Sequence, residues 1–330
     1  MSIGLHYSSG YNSALAEVLP DTHLFDIAKY GHALALVESR LGAERVAPHL
    51  RPVTEEVSHT ELCLIHSERY LQALETPSVV ARALEYPPVE QLSAELVDAE
   101  ILRPMRLAVN GTIAAAREAL MHNRLAFNLA GGYHHASRDR GEGFCLYGDA
   151  YLSIVRLRQE GLLGTQDPVL YIDLDAHQGN GMARLCAEHQ DEQVVLLDLF
   201  NTDIYPQDRV AQQRVDRAVP LISGMTDRTY LGLLRAHLTR AMASVKPRFA
   251  LYNAGTDILA GDPLGGLNIS EEGVRERDRF VLQTLRAAGV PVAVVLGGGY
   301  TPQSHRLIAN MLCDALMERG ESDGAGGACG

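Results

Sequence analysis

The chain has 330 residues, 46% of them hydrophobic, and a formal charge of −12. That length can bury a large core, as one big α/β domain or two smaller ones. No run approaches the roughly 18 apolar residues of a membrane span and no Lys/Arg cluster exceeds isolated pairs, which excludes a membrane span and argues against direct nucleic-acid binding.

The opening MSIGLHYSSG lacks the basic start and apolar stretch of a secretion signal, so a cytoplasmic location is expected. Five cysteines (Cys63, Cys145, Cys186, Cys313, Cys329) lie far apart without a CxxC pair and are expected to be reduced thiols.

In chain order, a first strand is predicted at Leu62 to Ile65, and Ala81 to Pro104, with Pro87-Pro88, is predicted as a surface loop. A helix follows at Pro104 to Met121, a strand at Leu125 to Leu129 and a helix at Ala150 to Leu163. Two strands come next, Val169 to Leu174 and Val194 to Leu199, then a helix at Thr226 to Val245. The order closes with strand Phe249 to Tyr252, helix Glu271 to Ala288, strand Val292 to Leu296 and helix Gln303 to Met317. Alternating β and α segments predict a parallel sheet covered by helices on both faces. With no repeat and no internal linker, residues 1–319 are expected to form one domain, and the Gly-rich GESDGAGGACG of 320–330 a disordered tail.

Ligands of open parallel sheets bind outside the carboxyl ends of the strands, and four polar clusters fall there. GGYHH (Gly131 to His135) follows Leu129. The strand from Val169 runs into DAHQGNG, so that Asp173, Asp175 and His177 alternate and share one side. NAGTD with Asp257 follows Tyr252, and GGGY with Tyr300 follows Leu296. Asp175, His177 and Asp257 supply three N/O ligands, the set that a catalytic zinc takes while keeping a position open; ferrous iron or cobalt is also tolerated. His134 and His135 offer one imidazole to take a proton from water and another to steady charge and protonate an amine. The Tyr300 phenol, on a triple-glycine loop, can donate to a developing oxyanion. Each motif alone is commonly a turn; their co-occurrence at four strand ends carries the reading. The other histidines are expected to be surface or structural, except that His66 is placed near the pocket rim and Ser67 beside it is a candidate helix N-cap.

LAGGYHHASRDRGEGFC, YIDLDAHQGNG, NAGTDILAGDPLGGLNIS and GGGY resemble the histone deacetylase superfamily in order and spacing. YSSGYN, HLFDIAKYGHAL, LIHSERYL, EYPPVE and LRPMRLAVNGTIAAA resemble its class IV branch, so the likeness covers about Tyr7 to Met317. It implies the single-domain arginase/deacetylase fold, an eight-stranded parallel sheet flanked by helices. It also implies a zinc-dependent amidohydrolase acting on acyl-lysine of proteins or peptides, with longer fatty acyl groups preferred to acetyl as in class IV relatives. By resemblance Asp175, His177 and Asp257 bind Zn2+, His134 and His135 form the histidine pair, and Tyr300 polarises the carbonyl. Asp173 orients His134 and, with main-chain oxygens of Asp175 and His177 and the region of Asp198 and Leu199, binds a structural K+. Gly143, Phe144, Cys145 and Gly298 shape the acyl channel. Many members carry Asp where this chain has Asn180, which bears on the charge state of His135.

An acetylpolyamine or other small acylated amine is the alternative substrate. A metal-dependent acyl-group binding protein without turnover is the non-enzymatic alternative, and the intact His134, His135 and Tyr300 argue against it. An arginase-like two-metal site lacks the further acidic and histidine ligands it needs.

Overall fold

The computed structural model describes residues 3–12, 26 and 28–317. The tail expected at 320–330 lies outside them. Eight strands form one sheet: β1 (Gly4–Tyr7), β2 (Leu50–Pro52), β3 (Leu125–Asn128), β4 (Val169–Asp173), β5 (Val194–Asn201), β6 (Arg217–Leu221), β7 (Phe249–Asn253) and β8 (Val292–Val295). Their order is β2-β1-β3-β8-β7-β4-β5-β6 and every pairing is parallel. Every residue of β4, β7 and β8 is buried, which is why these strands read as unbroken apolar runs.

The longer helices among the described residues are α1 (Lys29–Leu41), α2 (Arg103–His122), α3 (Asp149–Gln159), α4 (Asn180–Glu188), α5 (Asp227–Val245), α6 (Glu271–Ala287) and α7 (Ser304–Met317). Among the described residues, no helix is long and apolar enough to cross a membrane.

The sheet order explains how distant motifs meet. The strands β3, β8, β7 and β4 are neighbours, and their carboxyl ends carry the four polar clusters. In register, Asp173 of β4 stands between Asn253 of β7 and Asp198 of β5.

Two expected elements are corrected. Leu62 to Ile65 is not a strand: Ser58 and Glu61 form a capping box that starts a helix at His59–Leu62, and the next residues turn. An apolar run of four fits either state, and the cap decides it. Ala81 to Pro104 is not an open loop but a series of helical turns, at Pro77–Ala83, Pro87–Gln91, Ala94–Val97 and Asp98–Leu102, with Val89, Val97, Ile101 and Leu102 buried. The prolines sit in the first turns of Pro77–Ala83 and Pro87–Gln91, where the missing N–H costs nothing. The strands β1, β2 and β6 and the helices α1 and α4 are additions. The strand β6 contains Pro220, tolerated because β6 lies at the sheet edge.

Behind the site, Arg277 of α6 is fully buried. Its guanidinium pairs with Asp278 at 2.8 Å and donates to Leu174 O at 3.2 Å and Gly255 O at 2.5 Å, while Tyr252 Oη donates to Asp278 at 2.5 Å. One side chain thus ties the chain just past β4 and β7 to α6. Arg277→Leu strands a buried carboxylate and two carbonyls, and removal of one partner of a buried pair costs about 3–5 kcal/mol. Urea unfolding should give a loss of that size; a midpoint and slope unchanged from wild type would exclude this anchoring role.

Candidate active site

The loop after β3 turns sharply at Gly131 and Gly132, with φ of 81° and 79°. A side chain at Gly132 would press on Gly297 Cα at 2.7 Å, so glycine is needed both for the turn and for close approach to the loop after β8. Asp149, at the start of α3 and buried, accepts from Gly132 N at 3.0 Å, Tyr133 N at 2.9 Å and Thr112 Oγ1 at 2.7 Å, which fixes the histidine loop.

His134 and His135 are buried, their Nε2 atoms 3.1 Å apart. His134 Nδ1 bonds Asp173 Oδ2 at 2.8 Å, and His135 Nδ1 bonds Asn180 Oδ1 at 2.7 Å. The two rings differ in charge state. Burial opposes charge on His134, but the carboxylates of Asp173 and Asp175 push its pKa up to about 9. His135 is held well below the usual imidazole range by burial and by the charges of His134 and His177. The two imidazoles are thus pushed in opposite directions, and a hydrogen bond between their facing Nε2 atoms needs one proton there.

Asp175, His177 and Asp257 converge, with one ligand atom from each lying within 4.8 Å of the others and all three residues buried. His177 Nδ1 is 3.1 Å from Asp175 Oδ1 and 2.9 Å from Asp257 Oδ2. The second Asp175 oxygen accepts from Gly298 N at 2.7 Å, and the second Asp257 oxygen from Ala176 N at 2.8 Å. Burial and the charge of Asp175 push Asp257 up to about 7. Burial works against charge on His177, yet Asp175 and Asp257 push it up to about 10. Such a field attracts a cation, and two carboxylates with one imidazole suit zinc.

The loop after β8 is held from beneath. Lys29 Nζ donates to Gly297 O at 3.1 Å and Gly299 O at 3.2 Å, Tyr30 Oη to Leu296 O at 2.6 Å, and Tyr300 N to Asp262 Oδ2 at 2.8 Å. A side chain on Gly298 would collide with the Asp257 carboxylate. Burial and the charges of Asp175 and Asp257 push the Tyr300 phenol far up, so it stays a donor.

Across from Tyr300, Glu142 and Cys145 exchange backbone hydrogen bonds at 3.1 and 2.9 Å around a two-residue turn, Gly143 and Phe144, both with positive φ (54° and 68°). That is a type I′ hairpin. It aims Phe144 at Tyr300, ring centroids 5.8 Å apart. An outer channel of about 430 Å³ runs between Phe144, Tyr205, Leu264 and Tyr300 down to His135 and His177. Beyond it lies a chamber of about 20 Å³ bounded by Gly132, His134, Gly143, Cys145, Gly298 and Tyr300.

All the residues expected at the site from sequence thus gather at one end of the sheet. Asp198 Oδ2 accepts from Gly179 N at 3.0 Å while its buried Oδ1 has no hydrogen-bond partner among the described residues, and Leu199 is buried beside it. His66 is the correction: it is interior rather than at the rim, with Nδ1 on Ser137 O at 2.9 Å and Nε2 accepting from Gly148 N at 3.0 Å. Burial pulls it down to about 4, so it is a neutral structural group. Ser67 is the expected N-cap, accepting from Tyr70 N at 3.3 Å. Sequence reasoning missed Asn253, whose Nδ2 donates to Asp173 Oδ1 at 3.0 Å, together with Asp149, Lys29 and Asp262. Asn253 opens the NAGTD motif and could have been found there; the others act across long chain separations that no local pattern marks.

This architecture is the arginase/deacetylase fold, shared with the solved HD domain of HDA15 at a TM-score of 0.74 and 22% identity over 95% of this chain and 90% of that one. The histone deacetylase domain profile matches residues 23–316, and the chain belongs to the histone deacetylase family. Histone deacetylase 2 of Arabidopsis thaliana is 38% identical, covering 94% of this chain and 78% of that protein. An uncharacterised protein of Picosynechococcus is 33% identical over 90% of this chain and 93% of its own, and Histone deacetylase 8 of Xenopus tropicalis is 29% identical over 83% and 74%.

The Asn180 contact yields a prediction independent of activity. A carboxylate there stabilises the imidazolium of His135, so Asn180→Asp raises the pKa of that ring. Histidine NMR titration of both proteins measures it, and an unchanged or lower His135 pKa would contradict the assignment.

Proposed function

We propose that this chain is a zinc-dependent lysine deacylase, with Asp175, His177 and Asp257 holding the metal and His134, His135 and Tyr300 acting on the amide. The observation that carries the reading is the convergence of a buried Asp/His/Asp set, a pair of facing imidazoles and a phenol at the foot of one channel. When bound there, zinc would polarise the acyl carbonyl and acidify an adjacent water. Neutral His135 takes the proton from that water at Nε2. His134, held protonated by Asp173, steadies the negative charge and supplies the proton that the leaving amine needs. Tyr300 donates its phenolic hydrogen to the developing oxyanion. Phe144 and Tyr300 flank the channel as apolar walls that suit the stem of a lysine.

The unpartnered Oδ1 of buried Asp198 supports a structural K+ near Asp173, Asp198 and Leu199. The likeness of YSSGYN, HLFDIAKYGHAL and LIHSERYL supports a position near the class IV branch. The size of the inner chamber bears on the acyl group, which must sit beyond the scissile carbonyl. About 20 Å³ leaves room for one water-sized group, such as the methyl of an acetyl, whereas a long fatty chain requires the floor at Gly143 and Cys145 to open. We therefore favour short acyl groups over the long ones that the class IV likeness implies. An acetylpolyamine remains the second substrate class, since the mouth includes Glu85, which attracts a cationic amine.

Three measurements test this reading. Asp257→Ala leaves two ligands, so bound zinc and turnover should both collapse; full activity in metal-free buffer would sink the assignment. Tyr300→Phe keeps zinc and loses on the order of a hundred- to a thousandfold in rate, the usual effect of deleting one oxyanion donor. In a panel of acetyl-, octanoyl- and myristoyl-lysine peptides beside acetylputrescine, acetyl-lysine should turn over fastest. Faster myristoyl cleavage would show that the floor opens.

A further inference from the structure

We infer that Glu142 is a positioning residue that sets the tautomer of His135 through Asn180; the inference rests on the deacylase reading for its kinetic consequences. Asn180 Nδ2 donates to Glu142 Oε1 at 2.8 Å, and Asn180 Oδ1 faces His135 Nδ1 at 2.7 Å. A carboxylate only accepts, so the amide must turn its NH2 toward Glu142 and its oxygen toward His135. An amide oxygen also only accepts. The proton of neutral His135 therefore lies on Nδ1, and the lone pair lies on Nε2, the atom facing the histidine partner and the channel. An asparagine alone cannot enforce this, because its two ends are nearly isosteric and a flipped amide would donate to Nδ1 and put the proton on Nε2.

The geometry makes the constraint firm. Asn180 and His135 are buried, while Glu142 is 20% exposed at its side chain and also accepts from Arg140 Nη2 at 2.9 Å. Glu142 occupies the base of the Gly143-Phe144 turn, so the turn that shapes the channel wall also carries the group that orients the base. An aspartate in place of Asn180 would need no such help, since both its oxygens accept. It would, however, stand against the Glu142 carboxylate. Asn180 and Glu142 thus act as a matched pair.

That coupling gives the test. Glu142→Ala frees the amide, and kcat should fall on the order of ten- to a hundredfold, as for other groups that orient a ligand or base from behind, with zinc content and KM little changed. Glu142→Gln can still accept and should recover much of the loss. Glu142→Lys forces the amide to flip, and the loss should exceed that of Glu142→Ala, approaching the roughly 10⁴-fold cost of a wrong imidazole tautomer. In an Asn180→Asp background the sign reverses: adding Glu142→Ala relieves two facing carboxylates and should raise kcat several-fold. Nitrogen-15 NMR of the labelled holoenzyme reads the tautomer directly, with Nδ1 of His135 protonated in wild type and Nε2 in Glu142→Lys. Wild-type protein without turnover but with this tautomer switch would count against the deacylase reading alone. The relay itself is overturned by an unchanged His135 tautomer in Glu142→Lys, or by Glu142→Ala lowering kcat equally in the wild-type and Asn180→Asp backgrounds.

Discussion

The Asp173 carboxylate is the joint on which the site turns. It ends the interior strand β4, is wholly buried, and takes hydrogen bonds from His134 on one oxygen and from Asn253 and the Asp175 amide on the other. A buried carboxylate is tolerable only when its lone pairs are filled, so the strand register that brings Asn253 beside Asp173 is a condition for the site rather than a background to it. The same carboxylate holds charge on His134, and that charge in turn depresses His135. The orientation of His134 and the opposite charge preferences of the two rings both trace to this one group.

The surrounding charges are arranged for chemistry more than for stability. Asp173, Asp175, Asp198 and Asp257 are all buried within one small region. Asp198 and Asp257 are pushed upward by burial and by their acidic neighbours, a sign that the acids repel one another. Metal binding would relieve that repulsion and add its free energy to the fold, as linkage requires of any ligand that binds only the native state. Rigid support elsewhere offsets the strain: Arg277 braces the chain past β4 and β7, Asp149 the histidine loop, and Lys29 the loop of Tyr300.

Local pattern made the central strands and the long helices legible, because a strand buried on both faces is apolar throughout and α2, α5 and α6 keep helical spacing. The candidate site was legible for a related reason: its residues immediately follow those strands in the chain. What escaped was whatever depends on partners far away. The four residues of β1 carry no pattern until β2 and β3 flank them. The Ser58 capping box overrode a four-residue apolar run, and first-turn prolines turned an expected loop into helical turns. Lys29 reaches its partners across some 270 positions, and Glu142 looks like one more charge in a Gly-rich loop until Asn180 is found beside it.

The hairpin at Gly143-Phe144 shows why local strain is kept here. A bulky residue with φ of 68° is unfavourable by an amount on the order of 1–3 kcal/mol, and a glycine in place of Phe144 would remove it. Glycine would also remove the ring that faces Tyr300 and lines the channel. Its neighbour cannot bear a side chain at all, since a Cβ on Gly143 would run into the ring of His135. One turn therefore has to present a large apolar wall, leave room for an imidazole and hold Glu142 against Asn180. Only a small residue followed by a large one, both left-handed, meets the three demands together. The strain in Phe144 is the consequence of building the channel wall and the support of Asn180 from the same four residues.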